Sequence, residues 1–304
     1  MAMLSRVADS LFWMGRYLER AEQIARQLDV THDILVDLSE SDPVGAKAEW
    51  RATLASLCLP DLPMERLIFD TSEPGSLIGC ISQARENAKQ VREIIPNEIW
   101  ERINLTHWNL IDTRGELPGE TTLTKTLADI LFTTAALDGL VDASMVRGDA
   151  WVFLKLGKSV ERLDRIGRCI AARWDQSTNT PSSTQKNVIS VTMLKSLGAL
   201  EAYRKVSPTR IDRRTVLAFL LFQPNLPRSL RFCALDSENL LGQVSQLNPG
   251  LSASTTRAFG RLASQLEHGD VDEVIATGTD HFLNDTLRNA THASELLQSS
   301  YFPS

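Results

Sequence analysis

The sequence predicts an all-α protein: a multi-helix bundle in which one long helix is internally repeated about a pseudo-twofold axis. Three observations carry that prediction. Apolar residues recur at three- and four-residue spacing through most of the chain, while strand-like alternation is scarce. Proline, glycine and cap residues punctuate the periodic runs. One run matches another when the sequence is slid against itself by 142 residues.

The elements follow in order. Ser5 to about Leu38 reads as one long helix with Leu11, Met14, Leu18, Ala21, Ala25 and Leu28 on one stripe, stopped by Asp42-Pro43 and Gly45. A shorter helix near Ala46 to Leu57 is closed by Pro60 and Pro63. Ser76 to Ile95 comes next, stopped by Pro96, and Asn97 is placed to cap a helix through about Ile111. Arg114 to Thr121 is a turn rich in Gly and Pro, after which Thr122 to Arg147 and Asp149 to Gln176 form two long helices meeting at Gly148. Ser177 to Lys186 is polar and proline-broken, the composition of a linker. Further helices are expected near Val188 to Tyr203, Thr209 to Phe222, Pro227 to Leu247, Ser252 to His268 and Asp270 to Gln298. Thr209 with Asp212, and Asp270 with Glu273, have capping-box spacing, and Pro227 suits a first helical turn. One helical domain over residues 1–304 is expected, the alternative being a division at 177–186. Both copies of the long helix precede that linker, and the helices after it need shared packing for their apolar faces.

Composition bounds the function. Net charge is −6 and 43% of residues are hydrophobic, which argues against a basic surface for nucleic acid or anionic membrane. The N-terminus has no signal-peptide pattern, no apolar run reaches the roughly 20 residues of a membrane span, and a cytoplasmic location is expected. Cys58, Cys80, Cys169 and Cys233 lie far apart without CxxC spacing, so reduced, buried thiols are expected. The six tryptophans read as core or interface anchors, and His32, which falls on the core stripe opposite Trp174 of the second copy, reads as a packed histidine.

The repeat aligns Phe12–Leu28 with Leu154–Ile170. Beside the matched apolar stripes run Gly15, Glu19, Glu22 and Arg26, matched by Gly157, Glu161, Asp164 and Arg168. At about 100° per residue this second set forms a narrow strip at the edge of the apolar face. Its glycine lets a neighbouring backbone approach, at about 1 kcal/mol of helix propensity. Arg20 and Arg162 fall well away from the strip, which predicts that they serve a second interface. The charges predict an ion-pair network between the two helices, or alternatively a site in which Glu19 and Glu161 act as acid, base or ligand. A di-iron bundle would need Glu-x-x-His, which is absent, and no metal is expected. Arginines gather at Arg147, Arg162, Arg165 and Arg168, around Arg204, Arg210, Arg213 and Arg214, and at Arg228 and Arg231. Each group is a candidate anion site beside a helix start, or a set of partners for the chain's own acids. No P-loop, G-x-G-x-x-G or G-x-S-x-G occurs, and no cofactor is expected.

The segments MLSRVADSLFWMGRYLERAEQIARQLDV, SQARENAKQVREIIPNEIWERIN, MVRGDAWVFLKLGKSVERLDRIGR and FLLFQPNLPRSLRF, with the Tyr203-Arg204 step, resemble the Alpha-E family, named for its helices and its Glu-Arg motif. In the second copy Lys158 and Ser159 stand where the first has Arg16 and Tyr17. The resemblance implies a place beside a circularly permuted ATP-grasp protein, with a transglutaminase-like cysteine protease and a proteasome-like β-subunit as further neighbours. That in turn implies a part in an amide- or peptide-bond-forming system. Two expectations follow. The chain is a non-catalytic partner of the ligase, holding it or presenting its substrate. Alternatively it is an enzyme or composite site in which Glu19 and Glu161, with Arg20, Arg147, Arg162, Arg204 and Arg228 as substrate- or anion-binding groups, surround a small amino-acid or peptide substrate.

Overall fold

The computed structural model describes residues 5–38, 42–115, 119–178, 183–207, 211–247 and 253–301, and among them every regular element is a helix. The first half holds α1 (Ser5–Leu38), α2 (Pro43–Leu57), α3 (Met64–Phe69), α4 (Leu77–Gln90), α5 (Asn97–Gly115), α6 (Glu120–Ser144) and α7 (Asp149–Thr178). The second holds α8 (Ser183–Ser196), α9 (Leu200–Val206), α10 (Arg213–Phe222), α11 (Leu230–Leu247), α12 (Ala253–Glu267), α13 (Val271–Thr277) and α14 (Thr279–Tyr301).

The bundle is organised around α1 and α7. Their N-terminal portions share one core, in which Leu11, Met14 and Leu18 meet Phe153, Leu156 and Val160. Beyond that point the helices part. Ala21, Ala25 and Leu28 of α1 enter a core built with α2 to α6, while Leu163, Ile166 and Ile170 of α7 enter one built with α8 to α14. α1 is not the one-sided amphipathic helix of the sequence reading. It is buried along most of its circumference, Gln23, Gln27 and Thr31 included. Gln27 and Thr31 meet polar partners on α2, where Ser56 donates to Gln27 at 2.7 Å and the Thr31 and Thr53 hydroxyls lie 2.8 Å apart, while Gln23 donates to Glu22 of its own helix at 3.1 Å.

Several boundaries differ from the sequence reading, each for a local reason. Pro43 does not stop a helix but begins α2, because Asp42 caps it by accepting from the Gly45 N–H at 2.9 Å. α4 ends at Gln90, with turns carrying the chain to Pro96. The short α3 was not foreseen. Gly198, at φ 63, divides the predicted 188–203 helix into α8 and α9, and Gly278, at φ 110, divides 270–298 into α13 and α14. Asp212 rather than Thr209 caps α10, through the Thr215 N–H; Thr209 lies outside the described residues. Pro227 precedes the first turn of α11, where the Ser229 hydroxyl accepts from the Phe232 N–H at 3.1 Å. Asp270 does cap α13, accepting from Asp272 and Glu273. The expected linker is shorter than 177–186: α7 runs through Thr178, α8 starts at Ser183, and residues 179–182 lie outside the described residues.

Trp174 is buried, but Trp13, Trp50, Trp100 and Trp151 are only half-buried and Trp108 is exposed, so the tryptophans are not uniformly core anchors. All four cysteines are free, and Cys58 is exposed, in contrast to the expectation that all four are buried. It occupies the left-handed cap of α2 at φ 53.

A candidate site in the interface of the two long helices

The site begins with two glycines. A Cβ on Gly15 would lie 2.2 Å from the Leu154 carbonyl oxygen, and one on Gly157 would lie 2.0 Å from that of Phe12. Only glycine tolerates either approach, so backbone meets backbone where the helices cross. Moving both residue numbers by 142 turns one contact into the other. From these glycine contacts to the pairs Arg20–Glu161 and Glu19–Arg162 the contacts advance along both helices, so α1 and α7 run parallel here.

One turn further on stand the charges. Arg162 donates to both oxygens of Glu19, Nε to Oε1 at 2.7 Å and Nη2 to Oε2 at 2.7 Å. Arg20 does the same to Glu161, Nε to Oε1 at 2.6 Å and Nη2 to Oε2 at 3.1 Å. Each Glu-Arg dipeptide therefore reaches across to the other. This corrects the prediction that the arginines serve a second interface: Arg20 and Arg162 bridge the same α1–α7 boundary as the glutamates. A helical wheel places the Cα of each arginine about 100° from its glutamate, but the long guanidinium stem swings the charge back over the crossing. The strip outside the glutamates adds to this lattice. Arg16 donates to Glu161 Oε2 at 2.8 Å, and its counterpart Lys158 lies 3.8 Å from Glu19 Oε2 and pairs with Asp138. Within each helix Arg26 bonds Glu22 and Arg168 bonds Asp164.

Both glutamates are sealed, with 1% and 0% of their surface exposed. Burial acts to raise the Glu19 carboxyl, but Arg162, Lys158 and Arg228 outweigh it and hold the group at about 2. Burial likewise opposes ionisation of Glu161, and Arg165, Arg16 and Arg20 override it, holding the carboxyl far below the usual carboxylate range. Carboxylates fixed this far down and enclosed by donors neither give nor take protons near neutrality. Two thiols abut the network. Burial pushes Cys80, beside Arg20, and Cys233, beside Arg162, up to about 12 despite the cations, which excludes a thiolate nucleophile at either place.

Of the remaining candidates, Arg228 joins the site: its Nη2 donates to Glu22 at 2.9 Å and its Nη1 lies 3.9 Å from Glu19. Arg147 and Arg204 do not. Arg147 is exposed, pairs with Asp142 at 3.1 Å and stacks on Trp151, while Arg204 is exposed and pairs with Glu201 on its own helix. Arg214 and Arg231 also meet acids, Asp272 and Glu267, rather than an anion site. His32 is half-buried, its Nε2 3.4 Å from Glu120.

Arg165, grouped in the sequence with the candidate anion-site arginines, is instead a partner of the chain's own acids: it donates to Glu161 at 2.9 Å and to the Leu57 carbonyl at 2.9 Å. Sequence reasoning missed a separate buried pair, Arg173 with Glu49 at 2.8 Å. Arg173 lies close to the face of Ile166 and Ile170, but Arg165 lies opposite the stripe of Leu156, Val160 and Leu163, and the partners of both come from other helices or from Glu161 itself. The Glu-Arg dipeptide also occurs at Glu65-Arg66 and Glu101-Arg102, where all four residues are exposed. The dipeptide alone does not separate these from the buried pairs; the glycine four residues before each buried glutamate does. Among the described residues no three His, Cys, Asp or Glu side chains are placed to hold a metal ion, and no helix is long and apolar enough to cross a membrane.

Curated relatives include an uncharacterized protein of Mycobacterium bovis and one of Mycobacterium tuberculosis (strain H37Rv), each 26% identical over 321 residues. The match takes in 95% of this chain but only 35% of each relative, so the chain spans about a third of their length. No solved structure matches it significantly. A family model described as a predicted alpha-helical domain with a conserved ER motif matches residues 3–302, and the chain belongs to that family, Alpha-E.

Proposed function

We propose that the chain is a non-catalytic helical partner of an ATP-dependent amide- or peptide-bond-forming ligase of the ATP-grasp class, holding the ligase or presenting its substrate. The observation that carries this reading is the sealing of Glu19 and Glu161. Each is saturated by donors inside a filled interface, which removes the acid–base pair that the enzyme reading requires. Two further facts support a partner role. In the mycobacterial relatives the matching region makes up 35% of a longer polypeptide, so there it works in the company of other sequence. And α6 presents an exposed stripe of Ala128, Phe132, Ala135, Gly139 and Ala143, with Phe132 74% exposed, and Val146 just beyond its cap is 86% exposed. An apolar stripe of this length on a helix whose other side is already packed fits a helix or sheet of the ligase.

The test pairs co-purification with turnover. Wild type, Glu161→Gln, Arg162→Lys and Phe132→Asp proteins are combined with the ATP-grasp protein. Folded Glu161→Gln and Arg162→Lys proteins should leave ligase turnover unchanged, whereas Phe132→Asp should abolish co-purification. Lost turnover in a normally folded Glu161→Gln protein would return the site to catalysis. Failure of wild type to co-purify with the ligase or to alter its activity would sink the partner role.

A further inference from the structure

Around Glu161 the charges do not balance. Arg16, Arg20 and Arg165 all bond this one carboxylate, and among the described residues none of the three has a second ion-pair partner. The Glu19 side differs: Lys158 also has Asp138, and Arg228 also has Glu22. The α7 residue that matches Glu22 is Asp164, and it is taken up by Arg168 at 2.7 Å. A surplus of two positive charges therefore sits on one side of the crossing, in a chain whose net charge is −6.

Arg16 is where that surplus meets open space. A cavity of about 270 Å³ lies over it between α1, α7 and α14, lined also by Asp164, Ser294, Glu295 and Gln298. Arg16 spends its Nε on Glu161 and brings Nη1 within 3.5 Å of the Ser294 hydroxyl. Glu295 of α14 lines the same cavity, is exposed and, among the described residues, forms no ion pair. Thr291 and Glu295 also line an adjoining trough of about 590 Å³ along α14, so the cavity is open at one end. It thus offers a guanidinium edge from α1 and a hydroxyl, an amide and an uncommitted carboxylate from α14.

We propose that this cavity binds a small zwitterion of the α-amino-acid class, its carboxylate on Arg16 and its ammonium on Glu295, with the trough receiving the side chain. A simple anion would be repelled by Asp164 and Glu295, and a simple cation by Arg16; a molecule carrying both charges satisfies both walls. The inference deepens the substrate-presenting form of the function proposed above and rests on that reading for its purpose.

Isothermal titration of the full chain tests it, with L-alanine, L-glutamate and L-alanyl-L-alanine as probes and acetate and methylamine as controls. A zwitterion should bind at millimolar concentration or below, and both controls more weakly. Glu295→Gln, an exposed change that leaves the fold intact, and Arg16→Lys, which keeps the charge but loses the fork, should each weaken binding about tenfold or more. Absence of binding by every zwitterion, wild-type affinity in both variants, or acetate binding as tightly as the amino acids would each overturn the proposal. The titration needs no ligase, so its failure leaves the partnership standing, and failed co-purification leaves the binding standing.

Discussion

The two halves of the α1–α7 crossing carry matching residues and different surroundings. On one side Glu19 is held by Arg162, and the cations near it are shared with Glu22 of α1 and Asp138 of α6. On the other, Glu161 alone answers three guanidiniums, the third being Arg165 at the position where α1 carries Gln23. The difference teaches that a reciprocal motif fixes the geometry of a helix pair, while the outer neighbours decide how redundant each half is and where charge is left over. A buried ion pair adds little net stability, but removing one partner strands the other. The half with fewer acids is therefore the more fragile.

The comparison can be broken most directly at the glutamates. Glu161→Gln leaves three cations without a counter-charge and should cost about 3–5 kcal/mol in urea unfolding. Glu19→Gln should cost about half as much, because Asp138 and Glu22 remain for Lys158 and Arg228. Equal losses would mean that the outer acids contribute nothing. Next in size, Gly157→Ala forces a methyl group against the Phe12 carbonyl and should cost about 1–3 kcal/mol. The same change at Gly139, where an added Cβ meets nothing within 4 Å, should be neutral or stabilising by up to about 1 kcal/mol. Acid sharpens the contrast further. The folded Glu19 carboxyl lies at about 2, below its ordinary 4.5, so its stabilisation is complete above pH 4.5 and is lost as pH falls towards 2. Unfolding midpoints measured across that window should fall in the wild type and fall less steeply in Glu19→Gln. The smallest effect belongs to the surface: Arg147→Ala and Arg204→Ala should each shift stability by no more than about 0.5 kcal/mol.

Much of this was legible in the residues. The stripe from Leu11 to Leu28 gave α1 its full span, and its match at Phe153 to Ile170 marked the partner helix. Gly15 and Gly157 pointed to a packing requirement, since a glycine inside a helix costs about 1 kcal/mol of propensity, and the close approach is there. The direction of Arg20 and Arg162 was not legible. A wheel describes where Cα lies, and a side chain with a long flexible stem ends elsewhere once a second helix crosses beside it. Substitution of Lys158 for Arg16 looked like divergence, yet both place a cation against the opposite glutamate. Arg165, Arg173 and the unequal supply of outer acids depended on α2, α6 and α11, whose placement no spacing within α1 or α7 reveals.

The glycine crossing also sets an order of events for the growing chain. α1 is made before α7, yet the surfaces that Gly15 and Glu19 require lie at Leu154 and Arg162, more than a hundred residues downstream. Until α7 has been synthesised, α1 lacks the surface that meets Leu11, Met14 and Leu18 and the guanidinium that answers Glu19, while Ala21, Ala25 and Leu28 already have α2 to α6 to pack against. The N-terminal portion is thus held in waiting, and the step that commits the molecule is a long-range docking of two parallel helices, slow by comparison with the local hairpins of a simple bundle.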